Sequence, residues 1–204
     1  MVQIKNHTLG TYDVPSDTIN GNCVDIGCNV GGFIKKYAKH FKRIDYYEPI
    51  KECFDMCQNF SINYKHITGY NLAAWSESNK ELNILEHKNK DSGSSAIESN
   101  ILNEEWAEKN TIQKVKTISL EDILLKFDED IDYCKCDCET SEYFIFLNKD
   151  ISRIKYIGLE IHWQMGKDKQ EELLEHMFKT HKLVSGKSPL LSGGNEEILL
   201  ARKE

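Results

Sequence analysis

The sequence of 204 residues carries a net charge of −7 at pH 7, with 40% hydrophobic and 29% charged residues. This composition is typical of a globular protein, and the length is enough for one domain with a sizeable core. The negative charge argues against nucleic acid as a partner, because a phosphate backbone is bound mainly by lysine and arginine. No apolar run approaches the roughly 18 residues of a membrane span, and no signal peptide opens the sequence.

The cysteines indicate a redox compartment. There are seven of them, an odd number, and most lie in apolar segments. A framework of disulfides would need paired cysteines and an oxidising environment. We therefore predict free thiols, a cytoplasmic location and no membrane partner.

Apolar patterns along the chain alternate between the period of a strand and that of a helix. Residues 1–21 predict a short β lead-in with a turn at Gly10, and residues 22–204 predict the core of a single domain. The predicted strands are residues 23–26, 44–48, 66–75, 82–85, 115–118, 131–139, 154–162, 183–184 and 198–200. The predicted helices are residues 32–40, 142–147 and 169–181, with two more after Pro49 and Ser119. This alternation predicts a mostly parallel sheet with helices on both faces.

The segment between the first strand and the first helix reads D-x-G-x-N-x-G-G, beginning at Asp25. Strand, glycine-rich turn and helix is the form of a nucleotide-binding first turn, where glycines let the backbone approach a ligand. The spacing differs from the G-x-G-x-x-G fingerprint, which holds a pyrophosphate. S-adenosylmethionine has no phosphate, and its cationic amino-acid end and neutral ribose suit Asp25 and Asn29. The turn therefore favours an S-adenosylmethionine site.

Glu48 supports this interpretation. It ends the second predicted strand, about twenty residues after the turn, where a carboxylate can accept hydrogen bonds from both ribose hydroxyls. The alternative is an ordinary α/β turn followed by a solvated glutamate at a strand end.

The strand at 131–139 carries charges at its carboxyl end. Side chains alternate along a strand, so Lys135, Asp137 and Glu139 share one face, and the cysteines between them share the other. Charged groups in this position face the crevice where α/β proteins bind ligands. A structural Lys–Asp pair is the alternative. A zinc site is not expected, because alternate cysteines on one strand do not converge as two C-x-x-C knuckles do.

Glu160 and His162 end the next predicted strand and project towards the same crevice. Histidine is the usual general base near neutral pH, so His162, held by Glu160, is a candidate base with a pKa near 6–7. Asp137 is the other candidate. A structural histidine at a strand end is the alternative.

With these motifs in place, residues 24–163 resemble the FkbM family of S-adenosylmethionine-dependent methyltransferases. The resemblance is carried by V-D-I-G-C-N-V-G from Val24, Y-E-P from Tyr47, A-W-S from Ala74, S-G-S-S from Ser92, T-I-S-L-E-D from Thr117, K-C-D-C-E from Lys135 and E-I-H from Glu160. It implies a seven-stranded, Rossmann-like class I methyltransferase. It also implies transfer of a methyl group to a hydroxyl of a sugar or small natural product.

The resemblance also implies roles for individual residues. The implied cofactor-binding residues are Asp25, Gly27, Cys28, Asn29, Gly31, Glu48 and Ala74. The implied catalytic residues are Asp137, Glu160 and His162. Two positions depart from the family pattern: Cys28 replaces the usual alanine, and Thr140 replaces the glycine of K-x-D-x-E-G-x-E. Threonine resists the dihedral angles that glycine allows, so the turn at Glu139 is expected to differ.

Three other functions remain open from the sequence. A metal-dependent O-methyltransferase would use hard ligands for Mg²⁺, namely Asp137, Glu139, Glu160 and His162. An N-methyltransferase would place a cationic amine or protein side chain in an anionic crevice. A non-catalytic module would bind the cofactor without turnover. The favoured prediction is O-methylation of a small-molecule or glycan acceptor, without a resident metal and without nucleic acid.

Overall fold

A computed structural model of the protein describes residues 12–87, 95–97, 110–186 and 195–204. The strands are β1 Asn22–Ile26, β2 Arg43–Tyr47, β3 Ile67–Tyr70, β4 Ala73–Trp75, β5 Glu81–His87, β6 Ser95–Ile97, β7 Asn110–Ser119, β8 Ile131–Cys136, β9 Ile154–Ile161, β10 His181–Ser185 and β11 Glu196–Arg202. The α-helices are α1 Gly32–Tyr37, α2 Lys51–Ser61, α3 Leu120–Leu124, α4 Glu142–Phe146 and α5 Lys167–Met177.

The main sheet has seven strands in the order β10-β11-β9-β8-β1-β2-β3, which confirms the predicted α/β class and strand number. Neighbouring strands are parallel from β3 to β9, and β11 runs antiparallel between β9 and β10. The chain moves outward from β1 to β3 and later returns to β8, on the other side of β1. The sheet therefore changes direction between β1 and β8, and α/β folds bind ligands at the carboxyl ends of such strands.

Both faces of the main sheet are covered, as continuous apolar strands require. Every residue of β1 is buried, and its side chains alternate between two cores. Val24 and Ile26 belong to the larger core, together with the interior of β8 and β9. Cys23 belongs to the second core, with Tyr46 and Tyr133.

A second sheet, in the order β4-β7-β5-β6, was not predicted. It arises because the single strand predicted over 66–75 is interrupted at residues 71–72. The Asn71 side chain donates hydrogen bonds to the carbonyls of Glu48 at 2.8 Å and Pro49 at 2.9 Å. The chain turns there, and β4 leaves the main sheet to pair with β7.

Several predicted boundaries need correction. The part of the lead-in that the structure describes contains a 3-10 turn, Ser16–Thr18, rather than a strand, and the turn at Gly10 lies outside the described residues. Strand β8 ends at Cys136, three residues earlier than predicted, so Asp137 and Glu139 follow the strand instead of lying on it. The predicted cap of α3 is confirmed, because the Ser119 hydroxyl accepts from the Asp122 amide at 3.2 Å. Within the described residues, none of the helices has the length and apolar character to cross a membrane.

The turn between β1 and α1 depends on two glycines with positive φ. Gly27 has φ +75°, and a Cβ there would lie 1.9 Å from the carbonyl oxygen of Asp137. Gly31 has φ +80°, and a Cβ there would lie 2.7 Å from the Cys57 sulfur on α2. Both glycines are therefore required by contacts within the chain, whatever ligand the turn binds.

Replacement of Gly27 by alanine should destabilise the protein because the new Cβ clashes with backbone at a φ that alanine resists. We expect Gly27→Ala to lower the free energy of unfolding by about 2 kcal/mol or more in urea denaturation. Gly32→Ala is the matched control, since a Cβ at Gly32 meets nothing within 4 Å and the residue begins a helix. The control should be neutral or stabilise by up to about 1 kcal/mol. Equal stabilities of the two variants would contradict this account of the turn.

Candidate functional site

A buried ion pair joins β1 to β8 directly beneath the glycine turn. Lys135 is 4% exposed, and its ammonium lies 3.2 Å from the carboxylate of the fully buried Asp25. The same ammonium donates to the carbonyl of Gly27 and lies 3.8 Å from Asp137. Burial lowers the pKa of Lys135, but the nearby Asp25 and Asp137 raise it by more, so the pKa is above the ordinary lysine value. Asp25 therefore keeps Lys135 charged, and Lys135 holds the turn. Asp25 itself is too buried to contact a ligand.

Glu48 follows β2 and faces the turn. One of its carboxylate oxygens accepts from the Asn29 amide and the other from the Ile50 amide, both at 2.8 Å. The side chain is buried, and burial raises the pKa of Glu48 to about 7 against the opposing effect of these two amides. The carboxylate is thus fixed at the mouth of the turn, where it was predicted to meet a ribose.

A small, mostly apolar cleft opens beside the turn. Its lining residues are Ile26, Gly27, Tyr47, Pro49, Ala73, Ala74, Ile84, Cys138 and Ser141. Gly27 and Ala74, both predicted from the sequence, lie together in this cleft. An apolar cleft with a few polar groups at its edge is the usual form of a small-molecule site.

The other residues of the predicted turn contribute through the backbone. The Cys28 side chain is buried in the second core, away from the cleft. Asn29 has φ +50°, a left-handed conformation that asparagine tolerates, and this directs its amide to Glu48. Gly31 allows the chain to enter α1 beside α2.

On the other side of Lys135, carboxylates surround His162. Its Nε2 lies 3.3 Å from Glu139 and 3.8 Å from both Asp137 and Glu160. We call Asp137, Glu139 and Glu160 the acidic cluster. Their side chains are 30%, 29% and 22% exposed, whereas that of His162 is 1% exposed. The predicted proximity of Asp137, Glu160 and His162 at the ends of β8 and β9 is therefore present.

The electrostatics of His162 differ from the sequence-based expectation. Burial lowers the pKa of His162, but Glu142, Glu139 and Glu160 raise it more strongly, to about 9. The expected value of 6–7 assumed an imidazole without such neighbours. At neutral pH the ring is an imidazolium and cannot accept a proton. Burial and the nearby carboxylates also raise the pKa of Glu139, to about 7, although His162 opposes the shift.

Thr140 adopts the positive φ that a glycine at this position would allow, so the expected resistance of threonine to this turn is not seen. Glu139 and Thr140 have φ of +50° and +83°, and a β-branched residue adopts such an angle only at a cost. These two angles turn the chain sharply between β8 and α4. They place the Glu139 carboxylate next to His162.

Three residues of the site had no role in the sequence-based prediction. Glu142 is fully buried, and one of its oxygens lies 3.2 Å from His162 Nδ1. The Tyr12 hydroxyl donates to Glu160 at 3.3 Å, and the Asn195 amide group donates to the other Glu160 oxygen at 3.2 Å. Glu142 is the last residue of the pattern K-x-D-x-E-G-x-E, which by itself assigns it no role. Tyr12 and Asn195 lie in irregular segments with no periodic pattern, so only the fold reveals their place.

Two groups of residues could hold ligands. The turn, Glu48 and the cleft lie together at the ends of β1 and β2, and they offer a carboxylate and an apolar lining to a ligand. Asp137, Glu160 and His162 each offer one ligand atom, and these three atoms lie within 4.8 Å of one another, which fits a metal ion. Asp137 connects the two groups, because it lies 3.8 Å from His162 and 3.8 Å from Lys135, which donates to the Gly27 carbonyl in the turn.

Comparison with known proteins identifies the family. A family model described as the methyltransferase FkbM domain matches residues 25–183, most of the chain. No curated protein matches the sequence.

Solved structures resemble the fold at low identity. An rRNA methylase from Streptococcus thermophilus is 8% identical with a TM-score of 0.51, over 93% of this chain and 92% of that one. Fibrillarin from Aeropyrum pernix with natively bound S-adenosylmethionine is 8% identical with a TM-score of 0.52, over 94% and 70% of the two chains. Methyltransferase FkbM from Methylobacillus flagellatus is 15% identical with a TM-score of 0.48, over 89% of this chain and 43% of that one.

The first two of these likenesses show the class I methyltransferase fold alone. The family match adds the cofactor and the reaction class. It covers the chain from Asp25 to beyond His162. The chain belongs to the methyltransferase FkbM domain family and is an S-adenosylmethionine-dependent methyltransferase.

Proposed function

We propose that the protein transfers the methyl group of S-adenosylmethionine to a hydroxyl oxygen of a small-molecule or glycan acceptor. The observation that carries this proposal is the position of the acidic cluster. It lies beside the glycine turn, and Asp137 contacts both Lys135, which holds the turn, and His162. A hydroxyl in the crevice would lie next to carboxylates that can take its proton.

The turn and its surroundings are proposed to bind the cofactor. The backbone of Gly27, Cys28, Asn29 and Gly31 would contact the methionine end, and Glu48 would accept hydrogen bonds from the ribose. Ala74 would lie against the adenine, since it lines the apolar cleft. Asp25 would contribute indirectly, by keeping Lys135 charged beneath the turn.

The chemistry would require mainly alignment and removal of one proton. The cofactor supplies the methyl group, which passes from sulfur to the acceptor oxygen in an in-line displacement. Holding the reactants in line can contribute about 7–11 kcal/mol. His162 is an imidazolium at neutral pH, so the hydroxyl proton would go to Asp137 or Glu139. Glu139, with a pKa of about 7, is well matched to general-base work.

His162 and Glu160 would then have supporting roles. The imidazolium lies within 3.8 Å of both Asp137 and Glu160, and it would hold these carboxylates in place through its positive charge. Replacement of His162 would disturb the whole acidic cluster rather than remove the base.

N-methylation is the second candidate, and the charge of the crevice favours it. Three partly exposed carboxylates face one imidazolium. The excess of negative charge would attract a cationic amine. An amine must lose its proton before it can attack the methyl group, and the same carboxylates could accept that proton. The acceptor atom, oxygen or nitrogen, therefore distinguishes the two candidates.

The expectation that nucleic acid is not a partner stays a prediction. It rests on the net charge of −7, which opposes binding of a phosphate backbone. One structural neighbour is by its name an rRNA methylase, so RNA belongs among the acceptors that are tested. The cytoplasmic location also stays a prediction.

The acceptor can be identified with deuterium-labelled S-adenosylmethionine and a panel of sugars, hydroxylated small molecules, amines and RNA. We expect a labelled methyl group on oxygen of a sugar or small molecule, detected by mass spectrometry. Asp137→Asn should lower kcat at least tenfold while S-adenosylhomocysteine binds within about threefold of the wild-type affinity. Glu175→Gln is the control, because this residue is exposed on α5. Methylation only of amines or only of RNA would refute the proposed acceptor class.

The role of Glu48 can be tested by the pH dependence of two measurements on Glu48→Gln. The folded-state pKa of about 7 is above the ordinary value of 4.5, so Glu48 favours folding below pH 4.5. Its contribution is lost as the pH rises to 7. Relative to Glu48→Gln, the wild type should therefore lose stability, on the order of 2 kcal/mol, between pH 4.5 and 8.

At pH 8 the same variant should bind S-adenosylhomocysteine at least tenfold more weakly, because it lacks charged hydrogen bonds to the ribose. Calorimetry measures this affinity, with Glu175→Gln as the unchanged control. Equal affinities of Glu48→Gln and the wild type would remove Glu48 from the cofactor site.

A further inference from the structure

Around the acidic cluster, carboxylates outnumber cationic groups. Counting the buried Glu142, four carboxylates lie within 3.8 Å of the single imidazole of His162. Lys135 reaches only Asp137, at 3.8 Å, and is already paired with Asp25. Carboxylates gathered around one imidazole repel one another unless a counterion or a proton offsets their charge.

Three side chains are arranged as ligands around one point. His162 Nε2 lies 3.8 Å from an oxygen of Asp137 and 3.8 Å from an oxygen of Glu160. Two ligand atoms bound to one ion at about 2.1 Å are themselves about 3.0–3.4 Å apart. Small rotations of the two carboxylates would therefore suffice to bring all three atoms onto one cation.

The other side of the imidazole provides an independent indication. A histidine that binds metal usually donates its second ring nitrogen to a carboxylate or carbonyl, which fixes the ring. His162 Nδ1 lies 3.2 Å from an oxygen of Glu142, which is fully buried and accepts from the Cys138 amide at 2.7 Å. Nδ1 and this oxygen are close enough for an ion pair, although their alignment does not make a hydrogen bond, and the second Glu142 oxygen is buried without a partner. A proton held on Nδ1 beside Glu142 leaves Nε2 free to bind a cation.

The Glu160 carboxylate is also held by hydrogen-bond partners. Tyr12 donates to one oxygen of Glu160 and Asn195 to the other, at 3.3 and 3.2 Å. Tyr12 is 7% exposed, so its hydroxyl is fixed within the protein. Asn195, in contrast, is exposed. Hydrogen-bond partners that hold a ligating carboxylate in place are typical of metal sites.

We propose that Asp137, Glu160 and His162 bind one divalent cation of the class that accepts imidazole and carboxylate together, such as Mn²⁺. The cation would replace the proton on His162 Nε2, so the ring would bind as neutral imidazole and the cation would take over its role as the positive charge of the cluster. Mg²⁺ prefers oxygen ligands alone, so the imidazole favours a first-row transition metal over the Mg²⁺ that the sequence suggested. The site itself does not depend on the identity of the acceptor. Its part in the reaction rests on the proposed function.

In that reaction the cation would coordinate the acceptor oxygen and favour loss of its proton. The proton would pass to Glu139, which lies 3.3 Å from His162 and is not one of the three ligands. The acceptor oxygen would then form its bond to the methyl carbon as the bond from carbon to sulfur breaks.

The test is titration of the chelator-treated full chain with Mn²⁺, followed by calorimetry and electron paramagnetic resonance. We expect one Mn²⁺ per chain, bound at least tenfold more tightly than Mg²⁺. Asp137→Asn and His162→Gln should each weaken binding at least tenfold. Glu142→Gln, which cannot touch the ion, should also weaken it by about tenfold or more. The control is Glu77→Gln, since this side chain is 66% exposed beside Lys80.

Binding of S-adenosylhomocysteine is measured on each variant and shows whether the protein is folded. The same measurement distinguishes failure of the metal site from failure of the proposed function. Retained cofactor binding without stoichiometric Mn²⁺ would overturn the metal site alone. Tighter binding of Mg²⁺ than of Mn²⁺, or Mn²⁺ binding that is equal in His162→Gln and the wild type, would also overturn it. Loss of cofactor binding by the wild type would instead contradict the proposed function.

Discussion

The ion pair between Lys135 and Asp25 is the interaction on which the site depends. A lysine and an aspartate buried in the middle of a sheet are tolerated only because each neutralises the other. The pair links the two strands between which the sheet changes direction, and the lysine also donates to the carbonyl of Gly27. A charge inside the core thus fixes the turn that a cofactor must approach.

The same lysine connects the cofactor side of the site with the acceptor side. Asp137 lies 3.8 Å from Lys135 and 3.8 Å from His162, so one carboxylate is shared between the turn and the acidic cluster. This arrangement brings the two halves of a transfer reaction together without a flexible domain between them.

The sequence predicted those parts of the site that follow from local spacing. The glycine turn, the carboxylate of Glu48 and the meeting of Asp137 with His162 depend only on strands, turns and the side of the sheet on which strands end. The break at Asn71 depends on hydrogen bonds to Glu48 and Pro49, which are distant in the sequence, so strand propensity alone missed it. The second sheet was missed for the same reason.

Electrostatic properties were the least predictable. An isolated histidine at a strand end is expected to titrate near neutral pH, whereas His162 is surrounded by carboxylates from three separate segments. Asp25 likewise appeared to be a ligand, and only its complete burial against Lys135 shows that it acts indirectly. Such shifts result from tertiary neighbours, which a pattern along one strand does not contain.

The central claim is that the buried pair positions the turn, and it is tested most directly by the S-adenosylhomocysteine affinity of Asp25→Asn/Lys135→Met. This double variant removes both charges, so no unpaired charge remains in the core, and replacement of a buried pair is often neutral for stability. It also removes the hydrogen bond to Gly27. The account predicts a folded protein whose affinity, measured by calorimetry, is at least tenfold weaker than that of the wild type. A folded double variant with wild-type affinity would contradict it.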